Sequence, residues 1–183
     1  KVISSGIDGK ILGIVGMGRV GFVVARRAKA FGMKVIYFSR HEKKAAEKEF
    51  GASRVSLPEL LQTSDFVSIH TPLNKETENM FDYEMISRMK CSAFLINTAR
   101  GSIVEEEGLV KALKERKIAG AAIDVFDIEP KTNSVLSQFD NVILTPHIGS
   151  FTREAFIKMD IWAAHNIIRW FSGRNDKYFS NRR

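Results

Sequence analysis

Cysteine occurs once in the 183 residues, at Cys91, and proline only four times. A single cysteine excludes an internal disulfide, so the fold must be held by its own core, and it suits a reducing, cytoplasmic setting. The plainest role for Cys91 is a small filler ahead of a strand. No internal linker, repeat or low-complexity segment is visible. No run approaches the roughly 18 apolar residues that a membrane helix requires, so no membrane partner is expected. Acidic residues are outnumbered, 21 against 28 Lys and Arg, which leaves a net charge of +7. Five of the basic residues (Arg169, Arg174, Lys177, Arg182 and Arg183) crowd into the last fifteen positions. No groove-entering motif accompanies them, so the excess reads as a solvated surface that attracts small anions, and no nucleic-acid partner is expected.

What the chain does have is alternation. Short aliphatic runs predict strands over 11–15, 35–38, 66–69, 93–96, 121–125 and 142–144. Amphipathic runs predict helices over 20–31, 43–50, 57–62, 83–89 and 105–116, with a long final helix over 154–171 closed by Gly173. Strands that are apolar throughout, with no alternating polar face, are those buried on both sides, as parallel strands are. The expectation is an α/β fold, a doubly wound parallel sheet of the Rossmann-like kind with helices on both faces. Residues 1–172 read as one domain and 173–183 as a polar tail.

Residues 11–21, ILGIVGMGRVG, run a strand straight into three glycines spaced G-x-G-x-x-G. Glycine is costly to order, so the cluster needs a reason. Between a strand and a helix, Gly16 permits the tight turn, Gly18 lets a pyrophosphate approach, and Gly21 lets helix and strand pack closely. The backbone N–H groups of Arg19 and Val20 then face the phosphates at the helix N-terminus. At the end of the second strand such folds normally carry a carboxylate for the adenosine ribose. Here VIYFSRH places Ser39 and Arg40 there. A hydroxyl with a guanidinium suits a 2′-phosphate, so NADP is the favoured cofactor, with NAD the alternative. No metal site is expected.

Three further stretches, INTARGS, DVFDIEP and TPHIGS, fall at expected strand ends, where ligands of open α/β sheets collect. They contribute one Arg, one Glu and one His. Arg100 can clamp a carboxylate, His147 can exchange a proton with a substrate oxygen, and Glu129 can orient the imidazole and raise its basicity. Each residue alone has a plainer explanation, as a helix partner, a loop end and a packed turn histidine. The three together in a cofactor fold point to hydride transfer between a nicotinamide and a 2-oxo or 2-hydroxy acid.

From about Ile7 to Ala155 the chain resembles the cofactor-binding domain of the D-isomer-specific 2-hydroxyacid dehydrogenases. The motifs that carry the resemblance are GIVGMGRVG, HTPLNKET, INTARG, DVFDIEP and TPHIGS. It implies an NAD(P)-dependent oxidoreductase whose Arg, Glu and His fall on Arg100, Glu129 and His147. It also implies that Asp124 meets the nicotinamide carboxamide, that Thr71 and Pro72 lie beside the adenosine and phosphates, and that Thr98 and Ala99 lie under the nicotinamide. Gly149, in the last motif, joins the cofactor-binding set. The YFSR segment is similar to glyoxylate/hydroxypyruvate reductases, whereas residues 129–149 are similar to D-3-phosphoglycerate dehydrogenases, so the substrate stays open between them. Relatives of the family also include corepressors that keep the dinucleotide site, and a dinucleotide-sensing interaction module is the reading from another class. The resemblance further implies a homodimer and a separate N-terminal substrate domain, absent from these residues. The chain is accordingly expected to bind cofactor with little turnover.

Overall fold

The aliphatic runs become strands because they can be covered on both faces. In the computed structural model, which describes residues 6–130 and 134–173, they are β1 (Ile11–Val15), β2 (Lys34–Phe38), β3 (Ser53–Arg54), β4 (Phe66–Ile69), β5 (Phe94–Asn97), β6 (Gly120–Ile123) and β7 (Val142–Leu144). All pair in parallel, in the order β3-β2-β1-β4-β5-β6-β7. The chain thus winds outward from β1 on one side, crosses to β4, and winds outward on the other. The helices are α1 (Arg19–Ala30), α2 (Lys44–Phe50), α3 (Leu57–Thr63), α4 (Tyr83–Ile86), α5 (Glu106–Lys114) and α6 (Arg153–Phe171).

Side chains alternate across β1 and sort the core into two layers. Leu12 and Ile14 join Ala25 and Ala28 of α1 and Ala46 and Phe50 of α2. Val15 joins Leu60 and Leu61 of α3, Ile86 of α4 and Leu109 and Ala112 of α5. Helices therefore cover both faces, the doubly wound arrangement expected. The expected six strands are all present with ends moved by at most two residues. The expected helix over 83–89 stops at Ile86, because the next turn tightens to bonds from Arg88 N–H to the Met85 carbonyl and from Met89 N–H to the Ile86 carbonyl. The sequence gives no hint of β3.

By its internal contacts the chain divides into two units, Lys1–His147 and Ile148–Arg183. The sheet and α1–α5 make up the first. In the second, Thr152 caps α6 by accepting a hydrogen bond from Ala155 N–H at 3.1 Å, and Phe151 meets Phe156 edge to face. The polar tail expected over 173–183 lies outside the described residues beyond Gly173. Among the described residues no helix is long and apolar enough to cross a membrane.

Candidate active site

Strand order reverses between β1 and β4, and the loops leaving both strands must diverge there and open a crevice. Gly16 follows β1 with φ +101°, a conformation side chains rarely adopt, and a Cβ on it would lie 2.7 Å from the His70 carbonyl carbon and oxygen. Its N–H also donates to the Phe38 carbonyl at 2.9 Å. The ends of β1, β2 and β4 are thereby drawn onto one another. A Cβ on Gly21 would overlap the Gly16 carbonyl oxygen, whereas one on Gly18 would meet nothing within 4 Å. Helix α1 begins just beyond, at Arg19, with Gly18 as an extended N-cap, no side-chain cap and no acidic residue in its first turn. Its first N–H groups, those of exposed Arg19 and Val20 included, are left for a ligand, and the helix dipole favours an anion there.

The resulting cleft is about 360 Å³ and is lined by Gly16 and Gly18, by Ser39, Arg40, His41 and Lys43 after β2, and by His70, Thr71, Pro72 and the 74–77 turn after β4. The β2 wall is braced twice. The Arg54 guanidinium donates to the Ser39 and Arg40 carbonyls at 3.0–3.2 Å. The buried Tyr37 hydroxyl donates to Glu47 at 2.7 Å and accepts from Lys43 N–H at 2.8 Å; burial and then the Glu47 carboxylate push its pKa up. The Ser39 hydroxyl donates to the His41 carbonyl, so in this arrangement its hydrogen is engaged within its own loop. On the β4 wall, His70 pairs with Ser68 Oγ at 2.9 Å, and burial holds its pKa down at about 4. The imidazole is therefore neutral near pH 7. The Thr71 hydroxyl oxygen is buried with no hydrogen-bond partner among the described residues.

A second group of residues follows β5, β6 and β7, further along the same carboxyl edge. Glu129 Oε2 meets His147 Nδ1 at 2.7 Å, while Glu129 Oε1 accepts from Phe126 N–H at 2.9 Å. The His147 bond, then the Phe126 N–H, holds the Glu129 pKa below its ordinary value. With Nδ1 facing a carboxylate, Nε2 is the ring nitrogen left to exchange a proton. His147 has φ +55° and donates its own N–H to the Thr145 carbonyl at 3.0 Å. Thr145 in turn donates its hydroxyl to the buried Asp124 at 2.5 Å. Asp124 and His147 are therefore tied through Thr145.

Arg100 lies on the loop after β5. Its guanidinium donates to the neighbouring Ala99 carbonyl at 2.6 Å, and among the described residues it makes no ion pair with Glu129. The Asn97 side chain shapes its loop, donating to the Arg100 carbonyl at 2.9 Å and accepting from Ala99 N–H at 3.1 Å. Thr98 is exposed and Ala99 half-buried on this loop. At Gly101 a Cβ would overlap the backbone of Phe126 and Asp127. The close passage brings the Arg100 loop onto the loop that leads to Glu129. Gly149 lies in the turn before α6, within the second unit.

Sequence reasoning missed His41, Lys43, His70 and Glu76 on the cleft wall and Gly101 between the two loops. For His70 a signal existed, its place directly after an apolar strand. For Glu76, inside a polar turn, none did.

Comparison with known proteins agrees with the fold. Residues 1–149 match the family model described as D-isomer specific 2-hydroxyacid dehydrogenase, NAD binding domain. The chain is 51% identical over 168 residues to a glyoxylate reductase of Thermococcus litoralis, covering 92% of this chain and 51% of that protein. It is also 51% identical over 165 residues to one of Pyrococcus furiosus, covering 90% of this chain and 49% of that protein. Among solved structures, the NAD complex of a D-isomer specific 2-hydroxyacid dehydrogenase from Lactobacillus delbrueckii ssp. bulgaricus superposes with a TM-score of 0.89 at 31% identity, covering 96% of this chain and 57% of that one. A glyoxylate reductase from Paecilomyes thermophila gives 0.85 at 37% identity, covering 92% and 51%. The chain thus spans about half the length of the curated relatives it matches.

Proposed function

Since the chain belongs to the D-isomer specific 2-hydroxyacid dehydrogenase family as its NAD-binding domain, we propose that it is the cofactor-binding and proton-transferring half of a reductase of small 2-oxo acids, with NADPH preferred over NADH. The observation that carries the reading is the 2.7 Å Glu129–His147 pair on the same sheet edge as the glycine cleft. A dinucleotide suits that cleft on two counts. The position a Gly18 Cβ would take is open space, and the buried Thr71 hydroxyl has no partner among the described residues, one that a ligand would supply. Gly16, Gly18 and the first turn of α1 would hold the pyrophosphate, Arg40 the 2′-phosphate, and Thr71 and Pro72 the adenosine side. Thr98, Ala99 and Asp124 would border the nicotinamide.

When bound, the nicotinamide supplies or takes up a hydride at C2 of the substrate. The protein's own groups do the rest. Arg100 pairs with the substrate carboxylate and fixes which carbon is presented. His147 Nε2 gives a proton to the carbonyl oxygen in reduction and recovers it in oxidation. Glu129, already held ionised by its hydrogen bonds, fixes the tautomer and stabilises the imidazolium as it forms. That the relatives compared above are glyoxylate reductases supports glyoxylate over 3-phosphoglycerate as the substrate type. In this reading turnover belongs to the whole protein and dinucleotide binding to this chain. A homodimer and a cytoplasmic location belong to the same reading, the dimer tested by light scattering.

The test is a parallel fluorescence titration of this chain with NADPH and NADH, repeated with Arg40→Ala. The substitution is expected to weaken NADPH by on the order of tenfold, the scale of a charge-assisted phosphate contact, and to leave NADH nearly unchanged. Equal losses would refute the NADPH preference, and failure to bind either dinucleotide would refute the reading as a whole.

A further inference from the structure

The cleft described above holds one feature that works against its own anion site. Its β2 wall contributes Arg40, His41 and Lys43, while Glu76 is the single carboxylate among the residues that line it. Arg40 Nη1 lies 3.9 Å from Glu76 Oε2, with both side chains about three-quarters exposed, at 73% and 75%. Both groups are presented from braced backbone. Arg54 holds the Ser39 and Arg40 carbonyls. Opposite, Glu76 N–H donates to Asn74 Oδ1 at 2.9 Å, and the Thr77 hydroxyl donates to the Pro72 carbonyl at 2.7 Å. Neither loop needs to move for the two side chains to meet.

We propose that Glu76 is a specificity-determining residue of this cleft: it occupies Arg40 and repels a 2′-phosphate, and so narrows the preference for the phosphorylated over the unphosphorylated dinucleotide. The proposal rests on the reading of Arg40 given above. A dinucleotide with a free 2′-hydroxyl has no need to displace Glu76 and meets no charge repulsion there. A 2′-phosphate must take Arg40 from Glu76 and then sit beside the carboxylate. Because the pair is exposed and therefore weak, the phosphate can win, but at a measurable loss of affinity. The same wall then serves both cofactors, and a single carboxylate sets the ratio between them.

The experiment is titration of this chain and its Glu76→Gln and Glu76→Asp variants with NADPH and with NADH at low ionic strength. Glu76→Gln is expected to tighten NADPH about two- to fivefold, the range set by exposed ion pairs, with NADH changed by less than about 1.5-fold. Glu76→Asp keeps the charge but shortens its reach, so its gain falls below that of Gln. Raising the salt concentration shrinks the Gln gain, because an exposed carboxylate is screened. Unchanged or weaker NADPH binding by Glu76→Gln, or equal shifts for both dinucleotides, overturns the proposal. Arg40→Ala separates the two levels. If it discriminates between the dinucleotides while Glu76→Gln does not, only this inference falls; if it weakens both equally, the reading of Arg40 falls and this inference with it.

Discussion

Replacing Gly16 by alanine would set a methyl group 2.7 Å from the carbonyl carbon and oxygen of His70 and 2.8 Å from the Thr71 nitrogen. These are backbone atoms at the end of β4, which is tied to β1 by ladder bonds up to the pair Val15 and Ile69. No flexible side chain is there to swing away, so strand and turn must part. The φ of +101° adds backbone strain of about 1–3 kcal/mol for a residue with a Cβ. Overpacking against a fixed neighbour adds about 1–3 kcal/mol more. A loss of about 2–6 kcal/mol is expected, which for a chain of this size lowers Tm by roughly 4–24 °C. Gly18→Ala makes the contrast. Its φ of −86° and ψ of −161° are open to any residue, and no atom lies within 4 Å of the new Cβ. Stability should then change by less than about 1 kcal/mol, the scale of an N-cap exchange. Dinucleotide affinity should fall on the order of tenfold or more, equivalent to about 1.4 kcal/mol of lost contact. Urea unfolding followed by circular dichroism gives the stabilities, and NADPH fluorescence titration gives the affinities. A Gly16→Ala chain within 1 kcal/mol of the parent would refute the packing argument. A Gly18→Ala chain with full affinity would refute the assignment of the cleft.

Other tests follow from the titrating groups. In the whole protein, His147→Asn should lower kcat by about 10²- to 10⁴-fold with the KM for dinucleotide unchanged; a loss below tenfold would count against His147 as the proton carrier. In this chain, the Glu129 carboxyl should titrate below its ordinary value and move up in His147→Asn, though not fully, since the Phe126 N–H still holds it. Carbon-detected NMR reads that shift, and an unmoved Glu129 would refute the pairing. His70 is neutral in the fold down to about pH 4 but takes up a proton near pH 6.5 when unfolded. Below 6.5 the unfolded chain therefore binds more protons, so stability is full above that pH and is lost as pH falls toward 4, by up to about 3 kcal/mol. The drop in urea midpoint from pH 7.5 to pH 4.5 should be larger for the parent than for His70→Asn, and equal drops would refute the assignment.

The parts of this protein that can be read directly from residue order are those where one local demand restricts residue type. Strands buried on both faces must be apolar throughout, and a turn at positive φ against a neighbouring strand admits only glycine, so β1, its turn and α1 announce themselves together. Glu129 and His147 could be picked out as a candidate pair from their places at expected strand ends, and their side chains lie 2.7 Å apart. What escaped detection carries meaning only through neighbours. Ser53 and Arg54 are polar, exposed and only two residues long as a strand, and no periodicity can mark so short a segment. Yet pairing Arg54 beside Tyr37 is what brings its guanidinium to the Ser39 and Arg40 carbonyls. Glu76 likewise sits in a turn whose composition says only that it is a turn. Arg40 was visible from its place after β2, but on the proposed reading its hold on a phosphate would depend on Arg54, which braces its loop, and on Glu76, which lies beside its guanidinium. On that reading, cofactor preference in this cleft would be a property of three residues from three separate segments, and the one nearest the expected acidic position would not determine it alone.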